Sequence, residues 1–180
     1  PIEDTVEFTA EDRGNVLYRS YPDEEVVFFF VLEISGWSET TINGVNAFVT
    51  DMPVESDDDY FRSLFKDGKR LSRSNYPKTG VFKVFGEPLA EESVPGSHAP
   101  DFFTHALAFY ADKNDIIDFE NSNDVDVRIM HFWRDDLLPI HSVNTETGRI
   151  QITKPSAMRI RVEDNYIFEI VKEALSLPGE

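Results

Sequence analysis

Short runs in which apolar and polar side chains alternate dominate the chain. Val125-Asp126-Val127-Arg128-Ile129 alternates strictly, and Asn15–Tyr21, Ala47–Asp51, Val81–Phe85 and Arg149–Thr153 are β-prone runs bounded by turn formers. Successive residues of a strand point to opposite faces, so Val125–Ile129 is expected to have one buried and one wet face. Asn43-Gly44 and Asp67-Gly68 suit the positive φ values of tight hairpin turns, and Pro22, Pro53, Pro77, Pro95 and Pro155 punctuate the intervals. Together they predict a mainly β fold: an antiparallel β-sandwich or distorted β-barrel with one short helix near the C-terminus. That helix is placed at Asn165–Leu175, where Ile167, Ile170, Val171, Ala174 and Leu175 fall on one helical face and Asn165 can cap the first turn. Gly86–Pro100, rich in Pro, Gly, Ser and Glu, reads as a long exposed loop.

The run Glu25-Val26-Val27-Phe28-Phe29-Phe30-Val31-Leu32 is continuous instead of alternating. It fits a strand buried on both faces or a strand lying under another domain, and exposed in isolation it is an aggregation hazard. No internal repeat of constant spacing is visible.

Composition narrows the partners. The 180 residues suffice for one well-buried domain, and a net charge of −17, from 34 acidic against 17 basic residues, repels nucleic-acid backbones and anionic membranes. No apolar run reaches the length of a transmembrane helix, and no basic-then-apolar leader is present in the sequence as it stands. The absence of cysteine removes disulfides, a thiol nucleophile and thiolate metal sites, and leaves the compartment open.

The segment Phe65-Lys66-Asp67-Gly68-Lys69-Arg70-Leu71-Ser72-Arg73-Ser74-Asn75-Tyr76-Pro77 resembles a hairpin of large right-handed parallel β-helix proteins, many of them glycoside hydrolases of the family 120 and family 141 kind. Other segments fit in the same order: Phe8–Asp12 with Tyr18-Arg19-Ser20-Tyr21-Pro22, Ile34-Ser35-Gly36-Trp37, Phe119-Glu120-Asn121, His131-Phe132-Trp133, Ile140–Asn144 with Gly148-Arg149-Ile150, and Glu173-Ala174-Leu175. Phe28-Phe29-Phe30 stands where that family has a Ser-Gly-Gly turn, and the chain stops where its Trp-Tyr-Leu-Asp strand should begin, so a fragment of a larger enzyme is expected. The resemblance implies that residues 1–36 are N-terminal strands, a remnant of the β-helix or packed against it, and that residues 37–180 form an accessory domain. It also implies that the catalytic carboxylates lie in β-helix coils, which this chain does not contain.

The residues themselves give little support for local catalysis. Glycoside hydrolysis needs two carboxyl groups about 5 to 9.5 Å apart, one with a raised pKa, and so many acidic residues make such a pair common by chance. There is no Gly-x-Ser-x-Gly elbow, and His98, His105, His131 and His141 are scattered without zinc-ligand spacing. Glu55-Ser56-Asp57-Asp58-Asp59 offers oxygen ligands without a calcium-loop spacing, so no metal and no cofactor is assigned. Arg70 and Arg73 are candidate substrate contacts, on opposite faces of a strand, or else partners in structural ion pairs. Trp133 and Trp37 can stack on a sugar or serve a core or interdomain contact, and His131 is expected to share the face of Trp133.

The expected function is an accessory domain of an extracellular or periplasmic β-helix glycoside hydrolase acting on a plant-type or other polysaccharide. Its substrate-binding residues would be Arg70, Arg73, His131 and Trp133. The partners are then carbohydrate and the β-helix domain of the parent protein. The alternatives are a stand-alone carbohydrate-binding or adhesion module, and a structural subunit that assembles through the Phe28–Phe30 strand.

Overall fold

The computed structural model describes residues 9, 14, 17, 19–25, 31–52, 61, 63–96 and 98–180. The Phe28–Phe30 run, the Glu55–Asp59 acidic segment, and Asn15, Val16 and Tyr18 lie outside the described residues. The chain divides into two compact units, Pro1–Ser35 and Gly36–Glu180. In the first, the described residues include a turn at Pro22-Asp23, closed by the Glu24 N–H donating to the Tyr21 carbonyl at 3.1 Å.

The second unit is built of strands. In chain order they are β1 (Ser38–Ile42), β2 (Val45–Val49), β3 (Phe65–Lys66), β4 (Lys69–Arg70), β5 (Asn75–Tyr76), β6 (Phe82–Gly86), β7 (Ser93–Val94), β8 (His105–Ala106), β9 (Ala108–Ala111), β10 (Asp126–Met130), β11 (Asp135–Asn144), β12 (Arg149–Ile152) and β13 (Asn165–Glu169). A four-residue helix, α1 (Pro100–Phe103), precedes β8. Six strands close on themselves in the order β10-β11-β12-β9-β6-β13 and back to β10, with every pairing antiparallel. The mainly β, barrel-type fold expected from the alternation is therefore present, and closure leaves none of the six barrel strands as a free edge.

Local chemistry explains the hairpins. Asn43 and Gly44, between β1 and β2, have φ of 52° and 78°, and Asp67 and Gly68, between β3 and β4, have 51° and 74°. Consecutive positive φ values match the right-handed strand twist, which is why Asn-Gly and Asp-Gly occupy these two-residue turns. The β1–β2 tip is tied down by Asn43, whose amide donates to the Lys172 carbonyl at 2.6 Å.

The barrel interior is filled by Val84, Phe109, Val127, Ile129, Ile150, Tyr166 and Phe168, each fully buried. Phe109, Phe119, Tyr166 and Phe168 meet edge-on at 4.9 to 5.4 Å between ring centroids, the geometry aromatic quadrupoles favour.

Three expectations about the fold need correction. Asn165–Glu169 is a strand and only Lys172–Ala174 forms a 3-10 turn, so the helix at Asn165–Leu175 is absent. The helical spacing counted Ile167 and Ile170 and passed over Tyr166 and Phe168, which are the residues that enter the core. A Tyr-Ile-Phe run is β-prone, and β13 hydrogen-bonds to β10 on one side and to β5 and β6 on the other. The second correction concerns the wet face of Val125–Ile129: Asp126 is buried there, for an electrostatic reason given below. Gly86–Pro100, read as a loop, includes a 3-10 turn at Ala90–Glu92 and the short strand β7. Glu92 is buried against Arg149, whose Nε donates to its carboxylate at 2.5 Å.

Candidate functional site

Strand β10 leads to two polar regions of different character. Asp126 and Glu169 face each other across the β10–β13 register. Arg73 bridges them, its Nη1 donating to Asp126 Oδ2 at 2.8 Å and to Glu169 Oε2 at 2.9 Å. Arg128 completes the cluster, with Nε 2.6 Å from Glu169 Oε1 and Nη1 3.4 Å from Asp135. Both buried carboxylates are only 5% exposed. Burial alone would raise the pKa of Glu169, but the hydrogen bonds from Arg128 and Arg73 and their charges hold it below the usual carboxylate range. Glu169 is thus kept ionised, the opposite of what a glycosidic general acid requires. Asp115 is held above the usual range by burial and by the charge of Asp112.

The second region begins where β10 ends. Residues 131–134 form the connection to β11, closed by the His131 N–H donating to the Arg134 carbonyl at 2.9 Å. Within this four-residue turn, side chains part company. The His131 ring turns inward and is 2% exposed, with Nε2 3.1 Å from Asp136 Oδ2 and Nδ1 3.7 Å from Asp164 Oδ2. Asp136 also accepts the Ala157 N–H at 2.6 Å and lies 3.1 Å from Arg134. Its burial opposes ionisation, yet the bonds from His131 and Ala157, with Arg134 alongside, bring its pKa below the ordinary value. Phe132 and Trp133 turn outward and are 83% and 58% exposed.

Other segments supply the neighbours of these rings. Phe102 of α1 stands 5.6 Å from Trp133 between centroids, and Phe132 stands edge-on to Trp133 at 5.4 Å. The Arg161 guanidinium lies over the Phe102 ring at 5.0 Å. The Arg159 N–H donates to the Phe102 carbonyl at 2.8 Å, which fixes α1 beside this segment. A shallow pocket of about 180 Å³ opens next to the aromatic group, with Phe102, Phe132, Met130 and Met158 on its apolar side and Arg161 and Asp164 among its polar lining. Asn165 also lines it, and its Oδ1 is buried with no hydrogen-bond partner.

Of the four residues chosen from the sequence, the fold brings two together. His131 and Trp133 share one turn, although the ring of His131 is buried and does not share the open face of Trp133. Arg73 belongs to the ionic cluster on β10 and β13, and Arg70 is exposed on β4. Phe132, Phe102, Arg161, Asp164 and Asn165 escaped the sequence reading. Phe132 had a signal, since two adjacent aromatics in a turn between strands have no core to enter. Phe102 had none, because a helix some thirty residues upstream delivers it.

Among the described residues no helix is long and apolar enough to cross a membrane, and no group of three or more His, Asp or Glu side chains is placed to hold a metal ion. No family model matches the chain, and no curated protein or solved structure matches it significantly.

Proposed function

We propose that the barrel is a glycan-recognition module, accessory to a carbohydrate-active enzyme of the β-helix kind, and that it acts on polysaccharide outside the cytoplasm without supplying the catalytic carboxylates. The observation that carries this reading is the pair of solvent-facing rings, Phe132 and Trp133, beside a pocket with a polar rim. A pyranose presents an apolar C–H face and an equatorial belt of hydroxyls. Aromatic rings take the first, and forked or carboxylate groups such as Arg161 and Asp164 take the second. The strongly acidic surface favours neutral glycans over polyanions. Affinity electrophoresis through gels containing soluble xylan, mannan, β-glucan or pectin tests the proposal. One neutral polysaccharide should retard the wild-type chain and not Trp133→Ala, whereas equal migration of both proteins in every gel contradicts it.

A further inference from the structure

A second pocket, of about 250 Å³, lies on the other side of Arg159 and is lined by Glu87, Pro88, Ser93, Thr104, Ala106 and Ile160. Arg159 lines both pockets. Its Nη2 donates to Glu87 Oε2 at 2.8 Å, in a bridge with side chains 38% and 41% exposed. The two pockets therefore share the Arg159 side chain, whose ion pair with Glu87 lies at the surface. They are also alike in kind. Each combines apolar lining, Phe102 and Met158 in the first and Ala106 and Ile160 in the second, with polar side chains.

Both linings carry groups that can accept a hydrogen bond. Asn165 belongs to the lining of the first pocket, and its Oδ1 is buried without a donor. In the second, Ser93 Oγ donates to the Leu89 carbonyl at 3.1 Å and so directs its own lone pairs elsewhere. Each pocket alone is smaller than the roughly 300 Å³ at which small-molecule sites begin, while the two together reach that range.

We infer that these pockets are two subsites of one groove, and that the ligand is a neutral oligosaccharide that crosses the Arg159–Glu87 bridge with a sugar on either side. This rests on the glycan-recognition reading above and adds the chain length and the register of the ligand. The carboxylates of Glu87, Glu163 and Asp164 along the groove accept hydroxyl protons and disfavour uronates.

Calorimetric titration and saturation-transfer NMR with cello-, xylo- and manno-oligosaccharides of one to six residues, with oligogalacturonate as the charged control, test the inference. In the series that binds, affinity should rise at least tenfold from one residue to three. Glu87→Ala and Ser93→Phe, each confirmed as folded by an unchanged melting transition, should remove that gain and leave monosaccharide binding intact. The inference is overturned if monosaccharide and hexasaccharide bind equally while binding still depends on Trp133, an outcome that leaves the glycan reading standing. Loss of mono- and oligosaccharide binding in equal measure in both variants also overturns it, as does preference for oligogalacturonate. If no saccharide of any length binds, the glycan reading and this inference fail together.

Discussion

The middle of β10 and the turn at its end treat side chains in opposite ways. At Asp126 and Arg128 every charge has a partner within 3.4 Å, and the carboxylates that face Arg73 are almost sealed from solvent. Just past the end of the strand, Phe132 and Trp133 face water with large apolar surfaces. A saturated cluster has no capacity left for a ligand, and removing one member leaves a buried charge unpaired. An exposed aromatic group has the reverse economy: it adds little to folding, and its surface is available to be desolvated by something else. Paired charge therefore marks the scaffold of this domain, and a group of exposed rings gathered beside a pocket marks its candidate site.

The largest effect should come from the cluster. Arg73→Ala leaves Asp126 and Glu169 facing each other without their bridge and is expected to destabilise the domain by about 3–5 kcal/mol. Chemical denaturation of wild type and variant reads this directly, and a loss below about 1 kcal/mol would mean that the cluster is no more than a surface ion pair.

Acid should produce an intermediate effect. Glu169 and Asp136 both have folded pKa values below their unfolded ones, so their contribution is fully present above the unfolded carboxylate range, about pH 4. It is lost as the pH falls through the lower folded values, because protonation is then easier in the unfolded chain. Melting temperature should fall between pH 5 and pH 3, and Glu169→Gln should flatten that dependence while lowering stability at pH 7. An acid limb of unchanged slope in the variant would remove Glu169 from this account.

The smallest effect on stability belongs to the turn. Trp133→Ala should shift the unfolding free energy by no more than about 0.5 kcal/mol, yet cost about 2 kcal/mol of glycan binding, the size expected of a central aromatic anchor. A drop in stability comparable with that of Arg73→Ala would show that Trp133 is part of the scaffold and erase the contrast.

Local rules made part of this molecule legible. The turns at Asn43-Gly44 and Asp67-Gly68 follow from backbone chemistry within two residues, and the alternation of Val125–Ile129 marks a strand wherever it lies. Which face of that strand is wet depends on Arg73 and Glu169, more than forty residues away on either side, so Asp126 could be placed only once β13 had closed the barrel. The same closure decided Asn165–Glu169 against its helical spacing, since a strand there completes the hydrogen bonding of both β10 and β6. At the site, Trp133 stood out as one of two tryptophans able to stack on a sugar. Its neighbours Phe102 and Arg161 come from other segments, and only their packing reveals them.

The central claim, that ligand recognition is confined to the Phe132–Trp133 side of the barrel, is most directly tested by the indole N–H resonances of the two tryptophans. In 1H–15N spectra of the full chain titrated with the neutral oligosaccharide that binds best, the Trp133 indole should shift progressively and saturate. The indole of Trp37 and the Nε–H of Arg73 should stay in place. Movement of Trp37 with Trp133 unperturbed, or no movement of either indole at saturating oligosaccharide, would contradict the account.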